Sequence, residues 1–140
     1  MPFDAFLKLD DIPGGSADRD HKDWIEIESF SWGVENDPTA GSGGGGAGSG
    51  KATFNDLSVV TSFNTASEQL FKICATGQHI KKAVLHVRKS GGGSNVFYKV
   101  HFDEVFVSSY QDGGGSDDGV TEEIKLLFGA VGFGDAAPSA

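Results

Sequence analysis

The chain has 140 residues, 38% of them hydrophobic, with 21 glycines, 11 phenylalanines and a net charge of −9. That length suits a single domain, residues 1–140, with a core of its own, and the lone cysteine, Cys74, excludes an intrachain disulfide framework. The acidic balance argues against nucleic acid and anionic membrane surfaces as partners, and the opening "MPFDAFLKLDDIPGG" carries neither a secretory signal nor a membrane span.

Residues 3–9 predict a first strand. Residues 10–23 are polar, contain Pro13-Gly14-Gly15 and read as a loop. Residues 24–34 predict a second strand with a change of phase. Ile25 and Ile27 share one parity and Phe30, Trp32 and Val34 the other, so a bulge is expected near Glu28 and Ser29. Residues 36–50 are an extended glycine-rich loop. Residues 53–61 predict the next strand, with a second switch between Phe54 and Leu57. The period then changes. "TASEQLFKICATG" predicts a helix over 65–76, with Thr65 as N-cap, Glu68 completing a capping box, Ala66, Leu70, Ile73 and Cys74 on the apolar face, and Gly77 as the stop.

Strands resume at 83–88, 96–110 and 120–128, separated by Gly91-Gly92-Gly93 and "DGGGSDDG" as turns. Val96, Tyr98, Val100 and Phe102 share a parity that passes to Val105 and Val107. The composite is mainly β: an antiparallel β barrel or sandwich with one flanking helix. Val96-Phe97 and Val105-Phe106-Val107 are apolar on both faces. Their outer face needs a cover, supplied either by the helix or by a neighbouring subunit.

Charge is unevenly placed. Six bases and no acid lie between Lys72 and His101, and seven acids and no base between Asp103 and Glu123. One reading is a solvated surface. The other is a subunit with a basic and an acidic side that joins its copies head to tail. In the second reading, Lys81, Lys82, Arg88 and Lys89 face Asp103, Glu104, Glu122 and Glu123 across the subunit interface.

No catalytic, cofactor or metal site emerges. Gly45, Gly50 and Lys51 fit a phosphate loop, but Ala52 lacks the hydroxyl that holds magnesium, and a strand rather than a helix follows. His21, His79, His86 and His101 form no ligand cluster, although His86 and His101 could approach across a hairpin. Cys74 reads as a core residue. Ser94 fails the nucleophile-elbow pattern, and Asp112, Asp117 and Asp118 miss calcium-loop spacing.

Several blocks together resemble the haemolysin co-regulated protein family, the inner-tube subunits of type VI secretion systems. They are "FDAFLKLDDI", "DHKDWIEIESFSWG", the glycine loop closing in "GK" before "NDLSVV", "LFKICATGQHIKKAVLHVRKSGG", "VFVSSY" and "EEIKLLF". The most specific is C-A-x-G-x-H-I followed by A-x-L-x-x-R-K. The resemblance implies a β barrel with a flanking helix, assembled as a six-membered ring, with rings stacked into a hollow tube. It also implies partners: other copies of the chain, a contractile sheath, a valine–glycine-repeat spike and effector proteins in the lumen. It implies export from the bacterial cytoplasm without a signal peptide, and no enzymatic activity. On this reading Gly41, Gly43, Gly44, Gly45, Gly46, Gly48 and Gly50 belong to a loop that orders against the next ring. Ser31, alternating against Phe30 and Trp32, faces either the lumen or the outer surface. The chain departs from relatives in its short tail "GAVGFGDAAPSA" and in lacking a proline before the helix. The alternative function is a monomeric β-sandwich module that binds a peptide or glycan.

Overall fold

The computed structural model describes residues 3–37, 51–90, 95–116 and 119–135. The glycine loop's Gly41–Gly50 stretch and the turn at 91–93 lie outside them. Seven strands and one helix follow in the order β1 (Phe3–Leu9), β2 (Ile25–Ile27), β3 (Ser29–Asp37), β4 (Lys51–Ser62), α1 (Ser67–Thr76), β5 (His79–Lys89), β6 (Val96–Gly115) and β7 (Gly119–Phe133). All pairings are antiparallel, in one sheet of order β2-β1-β5-β6-β7-β4-β3. The outermost strands of that order, β2 and β3, are consecutive in the chain with only Glu28 between them. The sheet therefore has to curl until its two ends meet. There the Glu28 N–H donates to Val60 O at 2.7 Å and the Thr61 hydroxyl donates to Glu26 O at 2.6 Å. The fold is a closed barrel rather than a sandwich.

The parity switches correspond to real irregularities. At Glu28 the chain stops pairing with β1 and starts pairing with β4, so this is a strand break rather than a bulge within one strand. Between Ser31 and Gly33 the register against β4 shifts, which accommodates the switch from Phe54 to Leu57. In β6, Glu104 takes φ +55, and Phe102 and Val105 on either side of it both face inward. Its Cβ sits so close to Gly129 that a Cβ added there would lie 3.2 Å away.

Leu7, Ile25, Leu57, Val59, Leu85, Val100, Phe102, Val105, Ile124, Leu126 and the helical Leu70 form a fully buried core. The helix ends where expected: Gly77 takes φ +77 and its N–H reaches Ile73 O at 2.9 Å. Its start differs from expectation. Ser67 opens the helix, Ala66 is the N-cap, and no side chain caps it. Asn64 Oδ1 accepts from the Ala66 N–H and Ser67 Oγ from the Asn64 N–H, both at 2.8 Å. The Thr65 hydroxyl is turned instead onto Gly15, where an added Cβ would lie 2.5 Å from it. Strand β7 runs five residues past the expected end at Phe128, because it stays paired with β6 as far as Val100↔Phe133. A Cβ on Gly132 would lie 2.8 Å from the His101 ring.

Candidate assembly interface

Strand alternation decides which apolar residues the barrel keeps and which it presents. Val105 and Val107 are buried, so Phe106 between them points outward and stays 42% exposed. Its cross-strand partners are His79 on β5 and Leu127 on β7, and Leu127 is 47% exposed. The His79 ring stacks on Phe106 at 5.4 Å. His79, Phe106 and Leu127 thus make a continuous outward row across β5, β6 and β7. Helix α1 does not cover it: α1 packs on β6 through Phe71, whose ring meets Tyr110 at 5.9 Å. Of the two covers that the sequence allows, the helix is therefore ruled out for this row. Phe97, the extra residue where β5 and β6 shift register between Val87 and Arg88, is 62% exposed on the same strand.

A second aromatic group fills one end of the barrel. Trp32 lies against Phe102 (5.7 Å), Phe128 (6.4 Å) and Phe133 (5.9 Å), and its indole N–H donates to Tyr98 Oη at 2.9 Å. Because β3 and β6 are not neighbours in the sheet, these rings meet across the barrel interior. Phe30 and Trp32 pack on the core, and Ser31 between them is exposed.

Comparison with known proteins agrees with this architecture. The family described as "Type VI secretion system effector, Hcp" matches residues 6–133. The chain belongs to the Hcp family. It is 37% identical over 133 residues to Protein hcp1 of Pseudomonas aeruginosa, covering 94% of this chain and 82% of that protein. Among solved structures, Hcp1 from Salmonella typhimurium superposes with a TM-score of 0.80 at 33% identity, over 94% of this chain and 85% of the other. A structure described as a type six secretion system protein superposes with a TM-score of 0.85 at 34% identity, over 94% and 83%. The family read from the sequence blocks and the β-barrel fold with one flanking helix are both borne out. This is a type VI secretion system protein.

Within this Hcp chain the expected interface charges divide. Lys81, Lys82, Lys89, Glu104 and Glu123 are exposed, and Asp103 is half-buried directly across the ladder from Lys82. His79 Nδ1 lies 3.4 Å from the Glu104 carboxylate. Arg88 and Glu122 are buried inside the subunit. Arg88 faces the 10–24 loop, where its guanidinium donates to Asp18 Oδ2 at 3.1 Å and Asp18 Oδ1 at 2.5 Å, and to Asp4 Oδ2 at 3.3 Å. It also lies over the Phe6 ring at 5.1 Å. Its charge is held internally, so it is no longer an interface candidate.

Glu122 is fully buried beneath α1. The single Tyr110 hydroxyl lies 2.8 Å from Glu122 Oε2 and 3.1 Å from Asp112 Oδ2. One hydroxyl hydrogen cannot serve two carboxylates, and exposed Asp112 has water to turn to, so the acid favoured to keep a proton is the one without it. Burial identifies it as Glu122, whose carboxyl is pushed above its ordinary value, and burial likewise raises the Tyr110 phenol. A folded state that keeps this proton while the unfolded chain releases it loses stability as pH climbs above the ordinary carboxylate range. Glu122→Gln should therefore match the parent in urea unfolding at pH 4 and exceed it by roughly 1 kcal/mol at pH 8, the scale of relieving one poorly satisfied buried group.

The Tyr110–Glu122 pair and a contact between His21 and His86 were not anticipated from the sequence. His86 and His101 do not pair: His101 lies opposite Val84, and His86 opposite Lys99. Among the described residues, no group of three or more His, Cys, Asp or Glu side chains is arranged to hold a metal ion.

Proposed function

We propose that this Hcp chain is the tube subunit of a type VI secretion system. Copies join into six-membered rings by covering the His79–Phe106–Leu127 row, and the rings stack into a hollow tube. The observation that carries this reading is the row itself: Phe106 and Leu127 on adjacent strands, flanked by the stacked His79 ring on a third, turned away from the core and left bare by the only helix among the described residues. Phe106 is 42% exposed, so covering it contributes on the order of 1 kcal/mol per contact, and a ring repeats that contact at every junction. A head-to-tail contact closes into a ring when its rotation allows. Lys81, Lys82 and Lys89 on one strand, with Asp103, Glu104 and Glu123 beyond, supply the polar rim that sets register. Exposed Ser31 is assigned to the lumen wall.

The stretch containing Gly41, Gly43, Gly44, Gly45, Gly46, Gly48 and Gly50 is assigned to contact between rings. Ordering so many glycines carries an entropic cost, which keeps stacking weak and reversible. The activity is mechanical and binding rather than catalytic. The partners are the chain itself, a contractile sheath, a valine–glycine-repeat spike and effector proteins in the lumen, and the tube leaves the bacterial cytoplasm. Electron micrographs test this. The purified chain should give annular particles that associate end to end, and a chain lacking residues 41–50 should give annuli without stacks. Compact particles with no central hole would overturn the proposal.

A further inference from the structure

A chain of four titratable groups runs from the 10–24 loop to the end of β7. Asp18 Oδ2 lies 3.1 Å from His21 Nδ1, and His21 Nε2 lies 3.0 Å from His86 Nδ1. His86 Nε2 is hydrogen-bonded to Asp135 Oδ1. His21 is almost fully buried, stacked on Phe6 of β1 at 4.3 Å and met edge-on by Trp24 at 4.7 Å. Trp24 also lies against His86. The remaining charged groups around the pair are Arg88 of β5 on the far side of Asp18, Asp4 of β1 behind Arg88, and Lys99 of β6. Lys99 is the cross-strand partner of His86, and its ammonium donates to Asp135 Oδ2 at 2.9 Å. Beside them, His101 Nδ1 lies 3.1 Å from Gly134 O, and the Gly134 N–H donates to Lys99 O at 2.9 Å.

Counting hydrogens fixes the charge of this chain. Asp18 is held ionised by Arg88, which lowers its carboxyl to about 2, and Lys99 with His86 lowers Asp135. Two ionised carboxylates at the ends only accept hydrogen bonds. The three links then need three hydrogens on the four ring nitrogens, so the two imidazoles share one positive charge. Neutral imidazoles supply only two hydrogens and leave a link empty. Two imidazolium rings place N–H against N–H at the central contact. Burial of His86 disfavours its charged form and opposes both protons, while the hydrogen bond and charge of Asp135 favour the first.

We propose that His21 and His86 form a one-proton clasp that fastens Gly134 and Asp135 to the barrel wall, closed when the pair carries a single charge and open when it carries none or two. The clasp does not depend on ring assembly.

The test follows the amide protection factor of Gly134 in the full chain from pH 4 to pH 9, with the core Leu126 amide as reference for global opening. The expected profile is a bell: Gly134 protection relative to Leu126 falls at least fivefold on both the acid and the alkaline side. Asp135→Asn separates proton counting from general electrostatics. An asparagine N–H donates to His86 Nε2, so two neutral imidazoles satisfy every link. The alkaline fall should then vanish while the acid fall remains. Lys99→Gln removes the ion pair but not the count, and should keep both. A parent profile without an alkaline fall, or an Asp135→Asn profile that retains it, overturns the clasp.

Discussion

Arg88→Leu is expected to lower the unfolding free energy by about 2–3 kcal/mol, the linkage equivalent of holding Asp18 near 2 rather than 3.8. Few single changes in a domain with roughly 5–15 kcal/mol of total stability would be felt more. The guanidinium satisfies both oxygens of Asp18 and one of Asp4, and its flat face covers Phe6. It thereby ties β5 to β1 and to the 10–24 loop. Leucine would leave the Asp18 carboxylate, 17% exposed, without its main counter-charge. The loss should also depend on pH in a defined direction. Asp18 is depressed from 3.8 to about 2, so its contribution is complete above the unfolded value and disappears as pH falls toward 2. Urea midpoints of parent and variant should therefore converge at acid pH and diverge at neutral pH. Arg88→Lys should rescue only part of the loss, because an ammonium cannot make the two-pronged contact. A difference under about 1 kcal/mol at pH 7 would show that the fork contributes little.

Phe106→Asp is expected to act on assembly and leave the subunit intact. The side chain is outward and in contact with His79, so replacing it opens no core cavity. If copies cover the row, the substitution buries a carboxylate at every junction of the ring, where a central aromatic contact is commonly worth 2 kcal/mol or more. Light scattering should show mass shifting from the ring toward the single chain, while the thermal unfolding of the subunit and its far-ultraviolet dichroism stay close to the parent. Leu127→Asp should behave alike, because Leu127 lies beside Phe106 in the ladder. A variant that keeps the ring mass would place the contact elsewhere on the barrel.

Much of the fold was legible because alternation is a local property. The switches at Glu28, between Phe54 and Leu57, and between Phe102 and Val105 were visible in the residues, and each became a break, a register shift or a left-handed residue. The sequence also showed that Val105-Phe106-Val107 would leave an apolar side chain outside the barrel. It could not say what covers it, because the position of the helix depends on packing across many residues. The ends of strands were less legible. Gly113 to Gly115 in β6 and Gly129 and Gly132 in β7 have poor strand propensity. They are strand residues here because they belong to a long hairpin ladder, and two of them also yield space, Gly129 to Glu104 and Gly132 to the His101 ring. Thr65 carried a local capping signal that contact with Gly15 overrode. Least legible were the buried polar groups. His21 and His86 stand 65 residues apart, and nothing local to either shows that a polar loop will close over a strand. Arg88 and Glu122 sat in runs of like charge that suggested a surface. Both are covered within the subunit, Arg88 by the 10–24 loop through Asp18 and Glu122 beneath the helix.

The central claim is that the outward β5–β6–β7 row of one copy is covered by another until a ring closes. Its most direct test is the mass of the intact chain in solution, measured by light scattering after size exclusion over a range of concentrations. The account predicts a species of about six times the 14.7 kDa chain mass. A single-chain mass that persists at the highest concentration reached would contradict it.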